Sequence, residues 1–165
     1  MTISTSALQQ KNAKHLIQSF SDLSYINKPE ETHIISRADG VYIYDNDGKK
    51  ILDSMSGLWC VNMGYGQQSI IKAVNEQMKE LVYYNNFFGS SHPSAIKLSE
   101  MIADKTPEGM NKVYFCGSGS EANDTVVRLT RHYWSAKGKP SKSVIISRKN
   151  AYHGSTMAGA SLGGM

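Results

Sequence analysis

Residues 113–123 read Val-Tyr-Phe-Cys-Gly-Ser-Gly-Ser-Glu-Ala-Asn. The four apolar residues that open this stretch are typical of a buried strand, and the glycine-rich segment 117–120 predicts a tight turn after it. A helix is predicted next, because apolar side chains recur at helical spacing; they are Ala122, Val126, Leu129 and Tyr133. A second apolar run at 144–146 lies at the distance that a strand, crossover helix and strand require. The pattern therefore predicts an α/β protein with a parallel sheet.

The turn at 117–120 is suited to binding an anion. The first turn of a helix carries unpaired N–H groups and about half a positive charge, and glycines let a phosphate approach the backbone closely. Ser118 and Ser120 would add hydroxyl donors. A structural alternative is a capping box, in which Ser118 and Glu121 satisfy the helix N-terminus themselves. The residues of this turn leave both interpretations open.

A dinucleotide site is a second alternative for the same turn. The spacing Gly117-x-Gly119-x-x-Ala122 after a strand matches the dinucleotide-binding fingerprint. That fingerprint predicts an acidic residue about twenty positions on, where this chain has Ser147-Arg148-Lys149. An arginine there would suit the 2′-phosphate of NADP, so an NADP-binding Rossmann-type oxidoreductase domain stays open at this point.

Composition restricts the class of protein. The chain has 165 residues, of which 40% are hydrophobic and 19% charged, as is typical of a soluble globular protein. Its first ten residues are polar and no apolar run reaches the length of a membrane helix, so neither a secretory signal nor a membrane span is predicted. The net charge is +4, but the basic residues are scattered, which disfavours nucleic acid as a partner. Cys60 and Cys116 form no disulfide or zinc pattern, which favours a reducing cytoplasm.

The first part of the chain predicts a short helix followed by a β-hairpin. Residues 11–20 are weakly helical in pattern, and a polar loop follows at 27–31. The hairpin strands are 41–44 and 50–53, joined by the turn Asp45-Asn46-Asp47-Gly48. This acidic turn lacks the ligand spacing of a calcium loop, so no metal site is predicted.

Residues 56–66 contain three glycines, which predicts irregular backbone. Two amphipathic helices should follow, and the second should begin at Pro93 and end before Pro107. Their apolar residues are predicted to lie in the core. These residues are Ile70, Ile71, Val74 and Met78 in the first helix and Ala95, Leu98 and Ile102 in the second.

Several separate motifs occur in an order similar to that of the class III, or ω-, aminotransferases. They are GVYIYD at 40–45, DSMSGLW at 53–59, NMGYG at 62–66, NNFF at 85–88, GSGSEAN at 117–123 and AYHGST at 151–156. The resemblance implies the fold type I of transferases that depend on pyridoxal 5′-phosphate (PLP), which has a parallel-sheet large domain and a smaller α+β domain. Residues 1–57 would form the N-terminal arm and the hairpin part of the small domain. Residues 58–165 would form the first part of the large domain.

The resemblance also implies roles for particular residues. Ser118, Gly119 and Ser120 would hold the cofactor phosphate, and Tyr152 would lie against the pyridine ring beside His153, whose own role is more structural. The substrate pocket would take its aromatic walls from Phe20 and Trp59 and, from the partner subunit, the segment of Phe87 and Phe88. Without the resemblance, these four aromatics would be interpreted as core residues.

The reaction that the resemblance implies is a ping-pong transfer of an amino group from an ω-amino acid or simple amine to pyruvate or a similar keto acid. The site would lie at the interface of a homodimer or higher homo-oligomer. No catalytic residue is predicted within residues 1–165, because the Schiff-base lysine is expected downstream. The chain is therefore expected to be the amino-terminal part of a longer enzyme. The alternative, for a chain that truly ends at residue 165, is a non-catalytic module that binds a phosphorylated ligand.

Overall fold

The computed structural model describes residues 3–22, 24 and 28–164. The chain forms two compact units, Met1–Tyr84 and Asn85–Met165, which are described in turn. The domain boundary predicted after residue 57 concerns the domains of a complete enzyme and stays a prediction.

The first unit begins with helix α1, Thr5–His15. Ser4 caps this helix, since its Oγ accepts a hydrogen bond from the Ala7 N–H at 3.3 Å, and the extended backbone of Leu16 ends it. The prediction of a helix at 11–20 was therefore wrong in its bounds, because it overlooked the N-cap serine. Of the polar loop predicted at 27–31, residue 27 lies outside the described residues and Pro29–Glu31 form a 3₁₀ turn.

Three antiparallel strands follow in the order β1, β2, β3. They are β1 (Ile35–Asp39), β2 (Tyr42–Asp45) and β3 (Lys50–Leu52). The predicted hairpin between β2 and β3 is confirmed, with Ile43 opposite Ile51. Its turn is closed by Asp45, whose Oδ1 accepts the Lys49 N–H at 2.8 Å. The acidic side chain at this turn is thus an acceptor for backbone N–H groups.

The remaining helices are α2 (Ser56–Trp59) and α3 (Gln68–Glu80) in the first unit, and α4 (Pro93–Ala103), α5 (Gly119–Ala136) and α6 (Met157–Leu162) in the second. The predictions of α3, of α4 starting at Pro93 and of α5 after the glycine-rich turn are confirmed. Within the described ranges, no helix is both long and apolar enough to cross a bilayer.

The two strands predicted on either side of α5 are not formed. Residues 113–116 and 144–146 lie outside every strand in the described part of the chain. A strand needs a hydrogen-bonded neighbour, and neither segment has one among these residues. Val144 and Ile146 are consequently 86% and 93% exposed.

The predicted hydrophobic core is also not formed among the described residues. No hydrophobic residue is buried in the described chain, and the predicted core residues of α3 and α4 are exposed or partly so. The accessible surface is 13987 Å², whereas a folded protein of 18.2 kDa exposes about 8100 Å². The sequence pattern identified the apolar faces of α3 and α4, but among the described residues no other helix or strand packs against them.

Candidate active site

The start of α5 is capped by its own side chains. Ser118 is the N-cap, and its Oγ accepts a hydrogen bond from the Glu121 N–H at 3.1 Å. The Glu121 carboxylate in turn accepts the Gly117 N–H at 2.7 Å. This is the capping-box geometry that the sequence left open, shifted by one residue at its second bond. The N–H groups of Gly117 and Glu121 are therefore already hydrogen-bonded to side chains of the same turn.

The N–H groups of Gly119 and Ser120 in this turn remain for an anion. Among the described hydrogen bonds, none engages the N–H of Gly119 or of Ser120. A Cβ on Gly119 would meet no atom within 4 Å, so the backbone is open on that side. Capping and anion binding are thus compatible, since they use different N–H groups of the same turn.

Ser120 is also in contact with the loop that precedes α6. Its Oγ accepts the Ser155 N–H at 3.1 Å, which leaves the hydroxyl hydrogen for another acceptor. Gly154 lies directly against Ser120 with φ +126°, and a Cβ there would lie 2.6 Å from Ser120 Oγ. Only glycine fits this contact without displacing the serine.

Two polar residues of α5 form hydrogen bonds that hold the same loop in place. The Asn123 side-chain amide donates to the His153 carbonyl at 2.6 Å. Asp124 Oδ1 accepts the Thr156 hydroxyl at 2.6 Å and the Gly159 N–H at 3.1 Å. Sequence reasoning missed both residues as positioning groups. Their signal is that Asn and Asp, both poor helix formers, follow each other inside the first turns of an amphipathic helix.

The loop itself presents an aromatic ring and a histidine. The Tyr152 hydroxyl lies 3.1 Å from Ser155 Oγ, and the side chain is about half exposed. His153 Nε2 is buried, and no hydrogen-bond partner for it lies in the described part of the chain. Buried polar atoms are nearly always paired. Open N–H groups, a donor hydroxyl, an exposed aromatic face and an unpaired ring nitrogen together fit a phosphorylated aromatic cofactor.

Several residues in the predicted substrate segments have a left-handed backbone conformation. The non-glycine residues with positive φ among those described are Phe20, Ser56, Leu58, Trp59 and Phe88. Three of them are aromatics predicted for the substrate pocket. The left-handed region costs roughly 1–2 kcal/mol for each such residue. Strain of this kind concentrates at functional sites.

Trp59 lies on a single turn, α2, that winds in the left-handed sense. Gly57 has φ 58° and ψ 37°, and Leu58 has φ 63° and ψ 54°. The prediction of irregular backbone at 56–66 is thereby confirmed. The Trp59 side chain is 77% exposed, so it is not a core residue of this unit.

Asp53 and Tyr65 meet beneath this turn. Asp53 Oδ2 accepts the Gly57 N–H at 2.8 Å and the Tyr65 hydroxyl at 2.7 Å. The bond with Tyr65 lowers the pKa of Asp53 and raises the pKa of Tyr65, because it favours the ionised carboxylate and the neutral phenol. Sequence reasoning missed this pair. The only local signal is a tyrosine placed between two glycines, Gly64 and Gly66.

The other predicted aromatics are also in exposed segments. Phe20 lines a pocket of about 380 Å³ in the first unit. The rings of Phe87 and Phe88 lie 6.1 Å apart, and Phe88 is fully exposed. The structure therefore links the predicted cofactor residues within the second unit and places the predicted substrate aromatics on surfaces of both units.

The matches to known proteins all indicate the same protein family. Residues 25–165 match the model of the class-III aminotransferases. The chain is 54% identical over 157 residues to a putrescine–pyruvate aminotransferase of Pseudomonas aeruginosa, covering 95% of this chain and 34% of that protein. It therefore spans about a third of the length of this relative.

Solved structures agree with this match. An (S)-enantioselective omega-transaminase from Thermomicrobium roseum superposes with a TM-score of 0.93 at 33% identity, over 100% of this chain and 37% of that one. A thermostable omega transaminase variant with a tryptophan replaced by glycine, engineered for the synthesis of bulky amines, gives 0.90 at 39% identity over 96% and 35%.

These matches confirm the predicted fold class and favour a PLP-dependent aminotransferase over the NADP-binding alternative. Class III aminotransferases depend on pyridoxal phosphate. The chain belongs to the class-III aminotransferase family.

Proposed function

We propose that the protein carrying this chain transfers an amino group from an ω-amino acid or simple terminal amine to pyruvate or a similar keto acid, by a ping-pong mechanism. The observation that carries the proposal is the open helix start at Gly119 and Ser120, fastened to the loop of Tyr152 and His153. The likeness to a putrescine–pyruvate aminotransferase supports the choice of donor and acceptor.

The residues of this chain would hold and orient PLP, which when bound acts as an electron sink. Gly119 and Ser120 would donate N–H groups to its phosphate, and Ser118 and Ser120 have hydroxyl hydrogens to add. Tyr152 would lie against the ring, and His153 would contact it or stabilise the loop. The Schiff-base lysine is proposed to lie outside residues 1–165.

The substrate side would be aromatic. Phe20 and Trp59 would form walls of the donor pocket, and Phe87 and Phe88 would reach the site of a partner subunit. We therefore propose a homodimer as the smallest assembly. We also propose a cytoplasmic location, which is supported by two free cysteines, Cys60 and Cys116.

The proposed function is tested with the protein expressed from the complete reading frame and loaded with PLP. Putrescine and β-alanine are offered as donors with pyruvate, and alanine formation is followed. We expect alanine with at least one of these donors. Transfer to 2-oxoglutarate alone would correct the acceptor, and PLP binding without transfer from any amine would favour the binding-module alternative.

Replacing Ser120 by alanine is expected to weaken PLP affinity without unfolding the protein. A hydrogen bond to a charged phosphate contributes about 1.5–3 kcal/mol, which corresponds to about a 10- to 100-fold increase in Kd. The variant also loses the acceptor of the Ser155 N–H. Titration of the Ser120→Ala variant with PLP measures this Kd.

Ser135→Ala is the matched control for that titration, because Ser135 lies at the other end of α5 on an exposed position. It should bind PLP as the parent does. Equal affinity in the Ser120 variant would contradict the phosphate-site assignment.

Truncating Trp59 or Phe87 to alanine is expected to shift donor preference towards bulkier amines. Both side chains are largely exposed in their units, so stability should change little. The omega transaminase variant described above has a tryptophan replaced by glycine and was engineered for the synthesis of bulky amines, which supports this direction. Initial rates with a series of amines of increasing size measure the effect. Loss of cofactor or of folding, with no change in donor profile, would support a core role instead.

A further inference from the structure

The turn that bears Trp59 has few bonds of its own. Its backbone is closed by the Trp59 N–H, which donates to the Met55 carbonyl at 2.8 Å, and by the N–H groups of Cys60 and Val61, which both donate to the Ser56 carbonyl at 2.9 Å. Three of its four residues are not glycine and still have positive φ. A left-handed turn of this composition is unfavourable by itself. Its conformation must therefore be maintained by contacts from outside the turn.

Asp53 connects the turn to the sheet. Its N–H donates to the Val41 carbonyl at 3.0 Å, which continues the pairing of β3 with β2 by one residue. Its carboxylate accepts the N–H of Gly57, the second residue of the turn. One residue thus joins the end of a strand to the middle of the left-handed segment.

Tyr65 approaches the same carboxylate from the other side. Its backbone pairs with Gly40, with N–O distances of 2.7 and 3.3 Å. This close approach needs a glycine before the tyrosine, since a Cβ on Gly64 would lie 2.8 Å from the Gly40 carbonyl oxygen. The Tyr65 hydroxyl then lies 3.0 Å from where a Gly57 Cβ would be. The hydroxyl therefore packs against the turn as well as bonding to Asp53.

We propose that Asp53 and Tyr65 are positioning residues that hold the α2 turn so that Trp59 keeps one orientation in the donor pocket. This inference rests on the proposed function, in which Trp59 forms a wall of the donor pocket. The Asp53 carboxylate is hydrogen-bonded within the first unit to Gly57 and Tyr65, and this role requires neither Asp53 nor Tyr65 to touch substrate or cofactor. Their effect is exerted on donor selectivity through the orientation of the indole.

Removing the Tyr65 hydroxyl should release the turn and weaken discrimination against bulky donors. The ratio of kcat/KM for 1-phenylethylamine to that for putrescine should rise about 3- to 10-fold in Tyr65→Phe, the effect of losing one partly buried hydrogen bond. The kcat for putrescine should change little. Asp53→Ala should act in the same direction, and Asp53→Asn, which keeps an acceptor oxygen, should be nearer to the parent.

The experiment uses the PLP-loaded protein from the complete reading frame, with Tyr44→Phe as the control. Tyr44 is a tyrosine of β2. The guanidinium carbon of Arg37 lies 3.6 Å from the centroid of its ring, a contact that phenylalanine retains. Besides the kinetic ratio, deuterium exchange is followed in the peptide 54–63. Exchange there should be faster in Tyr65→Phe and unchanged in Tyr44→Phe.

Each result of this experiment decides the inference. A raised ratio with faster exchange confined to the turn supports it. An unchanged ratio, or an equal loss of kcat for both donors with faster exchange throughout, overturns it. Trp59→Ala is measured in parallel: a shift there without one in Tyr65→Phe overturns this inference alone, whereas no shift in either overturns the role proposed for Trp59 as well.

Discussion

The 165-residue chain expressed alone is expected to unfold without a cooperative transition and to show no transfer of amine to pyruvate. Its accessible surface is 13987 Å², about 1.7 times that of a folded protein of its mass. With no buried hydrophobic residue in the described part, the driving force for a single folded state is small. Thermal circular dichroism should show a broad change, and a hydrophobic dye should bind strongly.

The absence of transfer should be accompanied by an absence of specific lysine labelling. A lysine that attacks PLP must be held near the ring with a lowered pKa. The lysines that follow α5 lie in exposed positions instead; they are Lys137, Lys139 and Lys142. Lys142 Nζ lies 3.9 Å from the Trp134 ring centroid. Borohydride reduction after PLP addition, followed by peptide mass mapping, should show no single modified lysine.

The protein from the complete reading frame is the reference for both measurements. A sharp thermal transition in residues 1–165, or stoichiometric labelling of one lysine with turnover, would show that this chain is self-sufficient. The placement of the Schiff-base lysine outside it would then be wrong.

Gly154→Ala is expected to destabilise the protein by about 2–5 kcal/mol and to weaken PLP binding at least tenfold. The new Cβ would lie 2.6 Å from Ser120 Oγ and 2.8 Å from Ser120 Cα, so the helix start must move. The backbone at φ +126° adds strain for any residue with a Cβ. Denaturant unfolding and PLP titration of the protein from the complete reading frame measure the two effects.

Gly109→Ala separates backbone strain from crowding. Gly109 also has a positive φ, +86°, but a Cβ there would meet nothing within 4 Å. This variant should lose only about 1–2 kcal/mol and keep its PLP affinity. If both glycine variants behaved alike, the contact between residues 154 and 120 would not matter for the site.

The sequence predicted the features that depend on local chemistry. The acidic turn before Lys49 predicted the hairpin, and the spacing of Ser118 and Glu121 indicated the cap of α5 as one of two interpretations. Pro93 predicted the start of α4. In each case the residues that decide the conformation are a few positions apart, so periodicity and turn composition are sufficient.

The features that depend on distant partners were missed or predicted wrongly. Residues 113–116 and 144–146 have the composition of strands, but a strand forms only against a neighbour. Asp53 and Tyr65 are twelve positions apart along the chain, and nothing in the sequence pattern relates them. The N-cap at Ser4 was a local signal that was overlooked, and the helix bounds were wrong as a result.

The three-stranded sheet has a consequence for the order in which the first unit forms. Its hairpins pair residues that are close in the chain, and such pairing takes about 1–10 μs. Tyr65 can dock on Gly40 only after the sheet exists, and Asp53 can bind the α2 turn only after β3 is in place. The segment bearing Trp59 is therefore expected to be the last part of this unit to become ordered and the first to open in native-state fluctuations.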